Sequence, residues 1–83
     1  MKHTCPVCGW PELRDPPRNA EGAASFEICP SCGFEFGFDD DAQGLTYEAA
    51  RARWIAAGMK WWSQSRPAPE GWNPPQQLSD AGF

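Results

Sequence analysis

The sequence holds one histidine, His3, and no second imidazole to work with it. That absence removes every His-based triad, dyad and proton shuttle and leaves carboxylates alone for any acid–base chemistry. Basic residues are sparse as well. Lys2, Arg14, Arg18, Arg51, Arg53, Lys60 and Arg66 are dispersed along 83 residues, and the net charge is -4. Binding to a phosphate backbone calls for a basic patch or groove, so nucleic acid and anionic membranes are disfavoured as partners. No apolar run approaches the ~20 residues of a membrane span, and Met1-Lys2-His3-Thr4-Cys5 lacks the apolar core of a secretion signal. A cytoplasmic protein without membrane contact is expected.

What is present is concentrated in two matching turns, Cys5-Pro6-Val7-Cys8-Gly9 and Cys29-Pro30-Ser31-Cys32-Gly33, which carry all four cysteines. A chain of this length buries only a small core and gains from a staple. Twenty residues separate Cys8 from Cys29, within the range of roughly 15–20 that paired C-x2-C motifs show around zinc. Proline after the first cysteine presets the backbone, and glycine after the second accepts a positive φ, which lets backbone N–H groups turn toward the sulfurs. Cys5, Cys8, Cys29 and Cys32 are therefore the expected ligands of one structural Zn2+. With about four thiolates and one divalent cation the net charge falls to about -6. Iron in the same cage is the alternative, since spacing does not separate the two metals. A redox-active C-x-x-C needs a βαβ context that is not visible here, and catalytic zinc needs an open ligand position that four cysteines deny.

The order of patterns predicts a small α+β fold. Residues 1–45 read as a zinc-ribbon or rubredoxin-like pair of β-hairpins, each led by one turn. Trp10 and Leu13 are core candidates in the first, and Phe34, Phe36 and Phe38 share an apolar face with Phe26 and Ile28 in the second. The Pro- and Gly-containing stretch at 15–24 reads as a mobile surface loop. Thr46 suits an N-cap, and apolar positions at three- and four-residue spacing extend a helix from about Tyr47 to Trp62, with Gly58 inside its stripe. Residues 63–83 read as an extended Pro-rich tail anchored by Trp72, the whole forming one folding unit.

Asp39, Asp41, Gln43 and Gly44 match the opening of a calcium-binding loop. However, Ala50 stands where such a loop requires a bidentate Glu, so a solvated acidic turn is the simpler reading. Trp54 and Trp61 are assigned to the core. Trp62 and Trp72, with Asp39, Asp40 and Asp41, form the candidate partner surface, since an aromatic ring rimmed by polar groups is typical of a binding hot spot.

CPVCGWPEL, SFEICPSCGFEFGFDD and RWIAAGMKWW resemble segments of a group of small bacterial cysteine-rich proteins, the CPCC-like zinc-ribbon family, although the turns here read CPVC and CPSC. The resemblance implies a metal role for Cys5, Cys8, Cys29 and Cys32. Some members of that group look like immunity proteins paired with secreted bacterial toxins. Together the patterns predict a noncatalytic, zinc-stabilised protein-binding module, of immunity type on the strength of the resemblance. An iron-based electron carrier is the second reading, and a nucleic-acid-binding ribbon is the third.

Overall fold

Two short helices are the only regular elements: α1, Tyr47–Ala56, and α2, Pro74–Asp80. The computed structural model describes residues 1–83. No sheet forms. Two isolated antiparallel bridges, His3 with Leu13 and Ile28 with Glu35, mark the expected hairpins, and a third, Arg18 with Ala24, lies in the segment expected to be a loop. The α+β ribbon reading is therefore wrong. The chain is instead a compact globule of turns, with a Cα radius of gyration of 12.1 Å, near the value of about 12 Å for a folded chain of this length.

The second hairpin is cut short: Cys29 N bonds to the Phe34 carbonyl, Phe36 N to that of Glu27 and Phe26 N to that of Phe36, and the acidic stretch then coils on the outward-facing N–H groups. The Asp39 carboxylate accepts from the Glu35 N–H at 2.8 Å and Asp40 accepts from the Gly37 N–H at 2.7 Å. Residues 35–44 then coil through bonds from Asp39 N to the Glu35 carbonyl, Ala42 N to Phe38 and Gly44 N to Asp40. Phe26 sits at φ 58, a left-handed value that interrupts strand pairing on the facing segment. The single apolar face is lost with the ladder. Phe34 and Phe36 are buried, but Phe26, Ile28 and Phe38 are exposed.

The loop at 15–24 is also tied down. Asn19 Oδ1 accepts from the N–H groups of Glu21 and Ala23, while Arg18 pairs with Asp40 at 2.9 Å and with Asp41.

Helix α1 begins as expected, with Thr46 Oγ1 accepting from the Ala49 N–H at 3.1 Å and Glu48 in the first turn. It stops six residues before Trp62. The Met59 N–H bonds to the Trp54 carbonyl and the Gly58 N–H to that of Ile55, the paired bonds of a Schellman motif with Gly58 at φ 101. Gly58 ends the helix rather than lying within its stripe. Trp61 and Trp62 accordingly leave in an extended segment, and the Trp62 and Ser63 N–H groups bond to the carbonyls of Ser31 and Pro30 in the second cysteine turn.

The tail closes the globule with a helix that the sequence reading denied. Asn73 Oδ1 caps α2 by accepting from the Gln76 N–H at 3.1 Å, and Pro74 and Pro75 occupy the first helical positions, where no backbone donor is needed. The Phe83 N–H to Leu78 carbonyl and Gly82 N–H to Ser79 carbonyl bonds repeat the Schellman ending of α1. The core gathers Cys5, Val7, Cys8, Trp10, Leu13, Cys29, Phe34, Phe36, Ala50, Trp54 and Leu78 into one cluster.

Candidate metal centre

Each cysteine turn is closed by the same pair of backbone bonds. In the first, the Gly9 N–H donates to the Cys5 carbonyl at 2.9 Å and the Cys5 N–H to that of Trp10 at 2.7 Å. In the second, the Gly33 N–H donates to Cys29 at 2.8 Å and the Cys29 N–H to Phe34 at 3.0 Å. The glycine donors thus close each turn on a carbonyl oxygen. Gly9 and Gly33 lie at φ 85 and 83, where other residues are strained. Both are also covered. A Cβ at Gly9 would stand 2.7 Å from the Gln77 carbonyl oxygen on α2, and one at Gly33 would enter the indole of Trp62.

The two turns bring all four sulfurs together. Cys5 Sγ lies 3.9 Å from Cys32 Sγ and Cys8 Sγ lies 3.7 Å from Cys29 Sγ, with every ligand atom within 4.8 Å of the others. Tetrahedral zinc at about 2.3 Å from each sulfur requires sulfur–sulfur edges of about 3.8 Å, so the cage has the size the ion needs. A disulfide requires a sulfur–sulfur bond of about 2.05 Å, and all four cysteines are free thiols. Three are buried, while Cys32 is partly exposed.

Electrostatics within the cage also call for a cation. The neighbouring sulfurs of Cys29, Cys32 and Cys5 pull Cys8 far below an ordinary thiol despite its burial. Cys32 is pushed far up by Cys29, Cys5 and Cys8 and by burial. Cys29 rises too, because Cys5, Cys8 and burial outweigh the lowering pull of Cys32. Four sulfurs this close ionise together only when positive charge sits among them.

Residues that the sequence reading missed hold the turns in place. From α1, Arg51 donates through Nε to the Val7 carbonyl at 2.8 Å and through Nη2 to that of Pro6 at 2.7 Å, with the Phe83 ring 3.6 Å from its guanidinium carbon. From α2, Gln77 Nε2 donates to the Cys8 carbonyl at 3.0 Å and to Ser31 Oγ at 3.1 Å, while its Oε1 accepts from Trp72 Nε1 at 2.8 Å. One amide therefore spans both cysteine turns. Helical placement of Arg51 was legible, but nothing local tied it to a turn more than forty residues away. The Asn-Pro-Pro start of α2 was the available signal for Gln77.

The candidate partner residues are divided. Trp62 is 53% exposed and lies against Gly33. Trp72 is instead packed between Trp61, edge-on at 5.2 Å between ring centres, and Trp54, tilted at 6.4 Å. Asp40 and Asp41 are paired with Arg18. Asp40 titrates below its ordinary value: burial pushes it up, but Arg18 and the backbone N–H groups of Gly37 and Asp41 pull harder. Asp39 borders a groove of about 460 Å³ that is walled by Val7, Phe34, Trp54, Trp61 and Trp62 and reaches Cys32.

The site therefore defines a small protein with a four-cysteine cluster of metal-binding geometry. Two uncharacterised proteins of Bacillus subtilis (strain 168) are similar to it: YoaQ is 30% identical over 71 residues and YozI is 34% identical over 73 residues. The matches cover 69% and 70% of this chain, and the chain spans 60% of the length of each relative. No family model matches the chain. No solved structure matches it either. No helix is long and apolar enough to cross a membrane.

Proposed function

We propose that Cys5, Cys8, Cys29 and Cys32 hold one structural zinc ion, and that the protein acts without catalysis by binding another protein in a reducing, cytoplasmic setting. Four thiolates complete a zinc coordination sphere and leave no position for substrate. Bound there, the ion would supply a cross-link between two turns that no sheet joins. Iron is the alternative occupant. A colourless protein with one equivalent of zinc supports the reading, and a visible thiolate-to-iron absorption band contradicts it.

The apolar groove beside the second cysteine turn is the observation that carries the binding role. Its volume, about 460 Å³, is of the size that accepts a large side chain or a small ligand. Trp62 stands half exposed at its edge. The chain's net charge of -4 favours a basic partner, whose apolar anchor would enter a groove lined by Arg53 and Lys60 as well as Asp39. A secreted bacterial toxin, masked as an immunity protein masks it, fits that description.

The test is affinity capture from the native host with zinc-loaded protein, followed by reconstitution from purified components. A 1:1 complex that weakens at least tenfold with Trp62→Glu supports the reading. A partner that binds Trp62→Glu equally well, or no partner at all, contradicts it.

A further inference from the structure

The chain is bent to build the apolar groove beside the second cysteine turn. Ala50, Arg53, Trp54 and Ala57 recur at three- and four-residue spacing and bring one face of α1 and its C-cap to the groove. Beyond the helix the chain reverses, and Lys60, Trp61 and Trp62 line the same groove. Met59 lies in that reversal at φ 53, a left-handed backbone that a residue with a long side chain holds only where its surroundings impose it. Two bonds then fix the returning segment: the Trp54 indole donates to the Lys60 carbonyl at 2.9 Å, and the Trp62 N–H donates to the Ser31 carbonyl at 3.1 Å.

Charge at the groove runs against that of the molecule. Its charged lining residues are Arg53, Lys60 and Asp39, one more positive than negative on a chain of net charge -4. The ion pairs of the molecule are those of Arg18 with Asp40 and Asp41, so no carboxylate pairs with Arg53 or Lys60, and both are exposed. Asp39 is engaged with backbone, its Oδ2 accepting from the Glu35 N–H at 2.8 Å. An apolar groove with unpaired cations on its walls is complementary to an apolar group that carries a negative charge. The volume of about 460 Å³ has room for a large side chain or a small ligand, so one residue has to supply both the charge and the apolar body. A C-terminal aromatic residue does so, because its free carboxylate and its side chain leave the same Cα.

We propose that the groove takes the C-terminal residue of a polypeptide partner, with its aromatic side chain among Trp54, Trp61 and Trp62 and its carboxylate held by Arg53 and Lys60. This rests on the reading of the groove as the surface that binds another protein. A planar guanidinium can meet a carboxylate with two parallel N–H groups, and the ammonium adds a second charge. The two cations engage the terminal group alone, so a partner of basic overall charge still meets the acidic remainder of the surface.

The test titrates the zinc-loaded full chain with a short peptide ending in Leu-Phe, made once with a free C-terminal carboxylate and once as the carboxamide. Tryptophan emission follows binding, since the peptide contributes none. The carboxylate form should bind on the order of tenfold more tightly at low salt, and added salt should narrow the gap. Arg53→Gln combined with Lys60→Gln should bring the two forms together without weakening the carboxamide. Equal binding of the two forms by the unaltered chain, a comparison that needs no variant to fold, overturns the assignment and leaves the groove as a site for an uncharged anchor. A preference that survives in the double variant overturns the roles of Arg53 and Lys60. Binding of neither form overturns the groove as a binding surface, and the assignment with it.

Discussion

Gly9 and Gly33 occupy equivalent places in the two cysteine turns but meet different neighbours, and a single added methyl group separates them. At Gly33 the obstacle is the Trp62 ring, a side chain that can swing outward. At Gly9 it is the Gln77 carbonyl at 2.7 Å within α2, together with the Cβ of its C-cap Ala81 at 2.9 Å. Gly33→Ala should cost about 1–2 kcal/mol, mostly from the left-handed φ. Gly9→Ala adds a backbone clash and should cost about 2–4 kcal/mol. Denaturant unfolding of the metal-loaded proteins measures both. Trp62 emission should shift to the red in Gly33→Ala alone. Equal losses with no change in emission would mean that the turns, not their covers, set the cost.

At the scale of elements, local signals were read well and relayed ones were not. The cysteine turns were legible because a C-P-x-C-G stretch specifies its own backbone, and Thr46 marked the start of α1 for the same reason. Trp10 and Leu13 were recognised as core from their place after the first turn, and Trp54 from its helical spacing. Gly58 was misplaced because its neighbours Trp61 and Trp62 continue the helical period. They continue it in sequence only, since the Schellman bonds of Gly58 and Met59 turn the chain away. The second hairpin was drawn too long because Asp39 and Asp40 look like a solvated turn. Their carboxylates instead take the N–H groups of the preceding segment.

Helix α2 is the plainest case, where Pro74 and Pro75 read as breakers although Asn73 before them makes them the first helical positions. Asn73→Ala removes the cap that accepts from the Gln76 N–H and should cost about 1 kcal/mol, measured by thermal unfolding. Asn73→Asp or Asn73→Ser should recover most of it. No loss in Asn73→Ala would mean that packing alone holds the helix.

Across the whole molecule, the four-cysteine cage stands where a sheet would usually join the parts. The two helices do not belong to one packed layer. Each instead grips a cysteine turn, α1 through Arg51 on Pro6 and Val7, and α2 through Gln77 on Cys8 and Ser31. The tryptophans complete the link, with Trp10 against Trp61 at 5.1 Å and Trp61 against Trp72 at 5.2 Å. With a cation as the proposed cross-link, its removal should loosen this arrangement, because four buried or half-buried sulfurs repel one another once ionised without it. The tryptophan cluster is then the natural reporter of the cysteine cage.

The most direct measurement is the near-ultraviolet circular dichroism of the full chain under reducing conditions, before and after a chelator removes the metal. The account predicts that the tryptophan signal collapses as the metal leaves and returns with one equivalent of zinc, in step with the loss and recovery of four protected thiols. A reduced, metal-free protein that keeps its tryptophan signal and a cooperative melting transition would contradict it.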